Sequence, residues 1–150
     1  MKKNKSNIFV FDKDVARSKA YRSLKLTASF IVYNEFLMRR VIVYITQKRG
    51  KKAPVIINNG EIEFTYSEAE KIGISRPRFE RALTELVEKG FIDITHSGGG
   101  YDGDKSLYKI GDRWRKFGTQ DFENQVRQKD TRISTRMKAY HKRYIKKGGR

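Results

Sequence analysis

The sequence predicts an α+β fold: a three-helix core closed by a small antiparallel β-sheet, with basic extensions at both ends. Three observations carry this expectation. Residues 61–110 alternate in period from strand-like to helical and back, in the order strand, helix, turn, helix, strand, glycine-rich loop, strand. Charge is divided sharply along the chain. Residues 1–60 hold 14 Lys+Arg against 3 acids (+11), residues 61–118 hold 10 against 11 (−1), and residues 119–150 hold 10 against 3 (+7). Finally, 37% hydrophobic and 34% charged residues in 150 supply one real core, with some of the chain left outside it. The expected division is a basic N-terminal arm at 1–14, a domain at 15–118, and a basic tail at 119–150, helical or disordered.

In the arm, the apolar run Ile8–Phe11 reads as a short strand or a docking segment. A short helix is expected over Val15–Leu24, with Val15, Ala20, Tyr21 and Leu24 on one face. Thr27 reads as the N-cap of a longer helix, with Leu26 and Ile31 at staple spacing. Phe30, Tyr33, Leu37, Val41 and Tyr44 recur at helical steps, so the helix is expected to end between Arg40 and Thr46, where the β-branched run Val41-Ile42-Val43 weakens it. Residues 47–60 read as a basic loop rich in turn formers.

Glu61–Thr65 alternates polar and apolar, with Ile62 and Phe64 inward. Ser67 and Glu70 have capping-box spacing for a short helix that Gly73 ends, with Ile74 tucked inward. Ser75 then caps a helix over Arg76–Lys89, and Pro77 suits its first turn. Phe79, Ala82, Leu83, Leu86 and Val87 form its buried stripe, leaving Arg76, Arg78, Glu80, Arg81, Thr84, Glu85 and Glu88 outward. Gly90 stops it, and Phe91–Ile94 and Leu107–Ile110 flank a loop as paired strands. Arg113–Phe117 reads as a turn or short helix whose Trp114 covers the edge of the core.

With these residues placed, the chain resembles the winged helix-turn-helix superfamily across Thr27–Tyr44 and Glu61–Ile110. FTYSEAEKIGISRPRFERALTELVEKGFI and SGGGYDGDKSLYKIGDRW are also similar to small bacterial proteins of plasmids and integrated elements, which serve in replication initiation or transcriptional control. The resemblance implies a recognition helix at 76–89 in the major groove of double-stranded DNA, with Ser75, Arg76, Arg78, Arg81 and Thr84 toward it. It also implies a wing at 96–105, with Tyr101 and Lys105 on the backbone or minor groove. Glu80, Glu85 and Glu88 depart from that pattern by making the helix less positive than many DNA readers.

The flanks add sequence-independent affinity on this reading. Lys51 and Lys52, with Lys48 and Arg49, and Arg143, Lys146 and Lys147 of the tail are placed to neutralise phosphates. Tyr140 and Tyr144 interleave with tail cations and offer stacking to bases. A net charge of +17 suits rRNA as well as DNA, so an RNA-binding or ribosome-associated protein stays open, as does a protein–protein adaptor on the same scaffold. A homodimer through the long helix or the tail is a further expectation.

Other chemistry has little support. Gly98–Gly103 spells G-x-G-x-x-G, but strand residues follow where a dinucleotide site needs a helix. Asp102 and Asp104 lack a third carboxylate for a calcium loop, and His96 and His141 are too few for zinc. With no nucleophile–base arrangement and no Walker loop, no enzyme, cofactor or metal is expected. The absence of cysteine fits a reducing compartment, and no apolar run is long enough to span a membrane, so a cytoplasmic protein is expected.

Overall fold

The order of elements in the computed structural model, which describes residues 11–128, begins with two short helices where one was expected. α1 (Lys13–Arg17) and α2 (Lys19–Arg22) break at Ser18, whose extended ψ of 149° leaves the helix and whose Oγ accepts from the Tyr21 N–H at 3.1 Å. α3 (Thr27–Met38) follows. Then come a hairpin of β1 (Ile42–Thr46) and β2 (Lys52–Ile56), a short β3 (Ile62–Glu63), α4 (Tyr66–Lys71), α5 (Arg76–Glu88), β4 (Ile92–His96) and β5 (Leu107–Ile110). A 3-10 turn at Arg113–Lys116 is the last regular element among the described residues. The described residues therefore form an α+β fold with two separate small antiparallel sheets.

The core forms where α3 packs on α5 over the three-stranded sheet β3-β5-β4. α5 buries the expected stripe of Phe79, Ala82, Leu83, Leu86 and Val87. α3 buries Ala28, Val32, Tyr33, Phe36 and Leu37, which moves its inner face to one side of the expected stripe and leaves Phe30 at its edge. Rings link the layers: Phe36 meets Phe64 and Tyr108, and Phe91 lies between Tyr33 and Trp114. Trp114 covers the core edge as expected, stacked on Phe91 at 14°. Phe11 packs on Tyr21 and Tyr33, so the end of the arm docks on the helices. Ile8, Phe9 and Val10 lie outside the described residues.

Three caps differ from expectation. The capping box belongs to Thr65 and Glu68, two residues before Ser67 and Glu70: the Glu68 N–H donates to Thr65 Oγ1, and the Thr65 N–H to the Glu68 carboxylate at 2.8 Å. The short strand ends early enough for the helix to start at Tyr66. Thr27 is already helical and Leu26 is the N-cap, with no side-chain cap of its own. The cap comes from α5, where the Glu85 carboxylate accepts from the Lys25 N–H (2.7 Å), the Leu26 N–H (3.3 Å) and the buried Ser29 hydroxyl (2.6 Å). A carboxylate suits the positive end of a helix, and this one ties α3 to α5. Ser75 takes the N-cap position of α5 but makes no side-chain cap bond.

The largest correction concerns residues 41–57. α3 stops at Met38, and the β-branched run leaves the helix to form β1, paired with β2 from Ile42↔Ile56 to Thr46↔Lys52. The expected basic loop is half of a hairpin. Val41 and Tyr44, placed on the helical face by periodicity, are exposed instead, Tyr44 at 69%. The root is clamped by Asn58, which accepts from the Val41 N–H at 2.8 Å and donates to the Arg39 carbonyl at 2.9 Å.

At the other end of α5, Gly90 holds a left-handed φ of 83°, and the Phe91 and Gly90 N–H groups cap the Leu86 and Val87 carbonyls. A Cβ on Gly90 would stand 2.7 Å from the Arg113 Cβ, so no side chain fits there. Arg113 closes this corner, donating to Asp93 at 2.6 Å and to the Val87 carbonyl at 2.9 Å.

Candidate nucleic-acid interface

α4 and α5 meet at Gly73, a left-handed turn (φ 83°) whose neighbour Ile74 is buried and fixes the pair of helices to the core. With its apolar stripe held inward, α5 projects Ser75, Arg76, Arg78 and Arg81 into solvent at its N-terminal end. Arg78 has no ion pair or hydrogen bond among the described residues. Among the described residues, Arg81 donates one side-chain hydrogen bond, to the Pro77 carbonyl of its own helix at 3.3 Å. The Arg76 guanidinium lies 4.6 Å over the Tyr66 ring, which orients it without neutralising it.

The acids of α5 are deployed elsewhere. Glu85 points at the start of α3, and Glu80 faces the Arg127 guanidinium at 3.7 Å. Helical pairing of Arg81 with Glu85 or Arg76 with Glu80, which their spacing allows, does not occur among the described residues. Of the three acids that weakened the case for this helix, Glu88 alone is exposed with no partner among the described residues. Thr84 is half-buried and differs from the three arginines: its hydroxyl donates to the Glu80 carbonyl at 3.0 Å and meets Arg127 at 3.5 Å.

The loop joining β4 to β5 is built from its own side chains. Asp104 accepts from the Gly100 N–H at 2.8 Å and bonds the His96 ring at 2.6 Å, so its carboxylate staples the loop. The His96 bond holds the Asp104 carboxyl below its ordinary range. A Cβ on Gly98 would stand 2.3 Å from the Lys105 backbone, so glycine lets the two loop arms cross. Tyr101 stands at the tip, 74% exposed. Lys105 sits lower and pairs with Glu63 of β3 at 2.7 Å, which raises the lysine's pKa and locks the loop base to the sheet edge.

Between this loop and the start of α4 and α5 lies an open cleft of about 520 Å³, lined by Tyr66, Arg76, Ser97, Lys105 and Arg127 among others. Arg76 and Lys105 are thus brought to one cleft, whereas Arg78, Arg81 and Tyr101 do not line it. The sequence marks Arg127 only as the start of a basic run able to neutralise phosphates, not as part of this cleft. It lies in the first part of the basic tail, indistinguishable there from solvated cations, yet its side chain is 9% exposed and reaches the Tyr66 hydroxyl at 3.2 Å. Residues 119–128 form neither helix nor strand and stay against the domain, with the Glu123 carbonyl held by Arg113.

Lys51 and Lys52 are exposed at the tip end of the β1–β2 hairpin, apart from the cleft. Arg143, Lys146 and Lys147, with Tyr140, His141 and Tyr144, lie outside the described residues. Among the described residues no cluster of three metal-binding side chains occurs, and no helix is long and apolar enough to cross a membrane. Comparison of the chain with family models, curated proteins and solved structures finds no match.

Proposed function

We propose that this chain is a winged helix-turn-helix protein that binds double-stranded DNA, with α5 as recognition helix and the β4–β5 loop as wing. Transcriptional regulation or replication initiation on a bacterial mobile element is the setting the sequence resemblance suggests. One observation carries the reading: the first turns of α5 present Arg76, Arg78 and Arg81, while Glu80 and Glu85 are drawn to intramolecular partners. The acidic residues that make α5 look unsuited to a polyanion therefore leave its N-terminal end cationic. Residues at the start of a recognition helix are the ones that reach base edges. The Ser75 hydroxyl is free of the helix it precedes and adds a donor for phosphate.

The test begins by enriching bound fragments from a genomic library, then compares variants on the selected site and on random duplex. Arg78→Ala and Arg81→Ala should each cost about 1–3 kcal/mol on the selected site and much less on random DNA. Equal losses on both would remove base reading from α5. Structured RNA outcompeting duplex DNA at equal salt would overturn the choice of DNA.

A further inference from the structure

We propose that the β1–β2 hairpin is a second DNA-binding element, a β-ribbon arm that lies in a groove of the duplex with Arg49 at its leading end. The proposal rests on the DNA-binding reading above but uses no residue of α5 or of the β4–β5 loop.

Charge identifies the occupant. From Arg39 to Gly60 the chain carries Arg39, Arg40, Lys48, Arg49, Lys51 and Lys52 and no acid. The last four crowd around the turn, exposed and without ion pairs among the described residues. A polyanion is the complement of such a surface. A second copy of the chain would instead bring an identical all-cationic ribbon against it, and like-charge juxtaposition opposes that pairing.

Backbone geometry supports an arm that works alone. Arg49 has φ 71° and ψ 24°, and it is the one non-glycine residue in the left-handed region among the described residues. Glycine or asparagine occupies such a position with less strain, so turn chemistry does not account for an arginine there. The Ile57 N–H bonds the Val41 carbonyl and the Gln47 N–H the Lys51 carbonyl. That pattern turns the backbone polar groups of residues 52, 54 and 56 to the outer edge of β2, where Pro54 has no N–H to offer. That edge is blunted against a third strand, and the ribbon is two-stranded. A two-stranded ribbon fits the major groove, roughly 12 Å wide.

The faces of the ribbon suit a groove as well as its tip does. Ile42 and Tyr44 project from one side and Ile45 and Val55 from the other, all exposed. Aliphatic side chains contact thymine methyls in the major groove and wedge against bases in the minor. The arm is also firmly rooted. Arg39, just before it, donates to the Glu63 carbonyl and to Glu68, both at 3.0 Å, so the ribbon springs from the corner where α4 begins. Five residues per strand carry its tip about 17 Å from that corner, half a turn of duplex away.

Two variants of the full chain test this on a duplex several turns long. Combined Lys48→Ala, Lys51→Ala and Lys52→Ala should reduce the slope of log affinity against log salt by about 2–3. It should also erase a patch of the hydroxyl-radical footprint separate from the patch that Arg78→Ala alters. Arg49→Gly relieves the backbone, so it should melt no earlier than wild type, yet lower the slope by about 1. Unchanged slopes and footprints in both variants overturn the arm, even where Arg78→Ala still impairs binding. So does a wild-type dimer that Tyr44→Lys converts to monomer with DNA binding intact, because the stem would then cover a second copy. Wild-type protein that binds no duplex at low salt overturns the DNA-binding reading itself, and the arm with it.

Discussion

The two hairpins have strands of similar length and opposite fates, and the one left exposed is the more apolar in sequence. In β4–β5, Ile92 and Tyr108 are buried beneath the helices, at 0% and 4% exposure. In β1–β2, Ile42 and Tyr44 stand at 44% and 69%, and the pair forms a sheet of its own. The difference lies in what flanks them. β5 is gripped on both edges, by β3 and β4, and a helix ends in a glycine turn directly before β4. Among the described residues β1–β2 is held at its root, by Asn58 and Arg39. Apolar character therefore marks structure in one hairpin and an available surface in the other.

The strongest way to break this comparison is to truncate one residue in each. Ile92→Ala should cost about 2–5 kcal/mol, the range for deleting a fully buried aliphatic side chain. Ile45→Ala should fall within about 0.5 kcal/mol, as at exposed sites. Urea unfolding of both variants measures the gap. Equal losses would mean that β1–β2 belongs to the cooperative core.

The same contrast explains what could be read from the residues. The stripe of α5 was legible because Phe79, Ala82, Leu83, Leu86 and Val87 repeat with one helical period and end at a glycine. The β1–β2 hairpin was not, because Val41 and Tyr44 continue the helical spacing of Phe30, Tyr33 and Leu37 by coincidence. Local chemistry was the better guide there: Val41-Ile42-Val43 favours a strand, and Gly50 with Asn58-Asn59-Gly60 supplies turns on either side of β2. At the candidate site the outward arginines were legible, but the roles of Glu85 and Arg127 were not. Each depends on a partner more than forty residues away, and periodicity carries no information at that range.

Glu85 sharpens the comparison from the anchored side, with a smaller effect. Its carboxylate holds three donors at the start of α3, one of them the buried Ser29 hydroxyl. Glu85→Ala should cost about 2 kcal/mol, the scale of hydrogen bonds to a charged group whose loss leaves a buried donor unpaired. Glu88→Ala, one turn on and exposed, should stay within about 0.5 kcal/mol. Thermal melts of the two separate them, and equal shifts would mean that Glu85 is a surface residue like its neighbour.

The smallest effect is expected at the seam between the two regions. Glu68 starts α4 by accepting the Thr65 N–H, and it also receives Arg39, the root of the β1–β2 hairpin. The Thr65 bond first, and Arg39 after it, hold its carboxyl down at about 2 against an ordinary 4.5. A folded-state pKa below the unfolded one stabilises the fold above pH 4.5 and loses that contribution as pH falls through 2. Because the side chain is 39% exposed, solvent screens the pair, and the loss should not exceed about 1 kcal/mol. Chemical denaturation at pH 5 and pH 2.5, for wild type and for Glu68→Gln, isolates it: the glutamine variant should show a shallower acid slope. If Arg39 couples the root to α4, amide exchange at Val41 and Ile57 should quicken over the same pH window after correction for intrinsic rates. Protection at these two amides that is indifferent to Glu68 would mean that Asn58 and the bond from Arg39 to the Glu63 carbonyl hold the root without it.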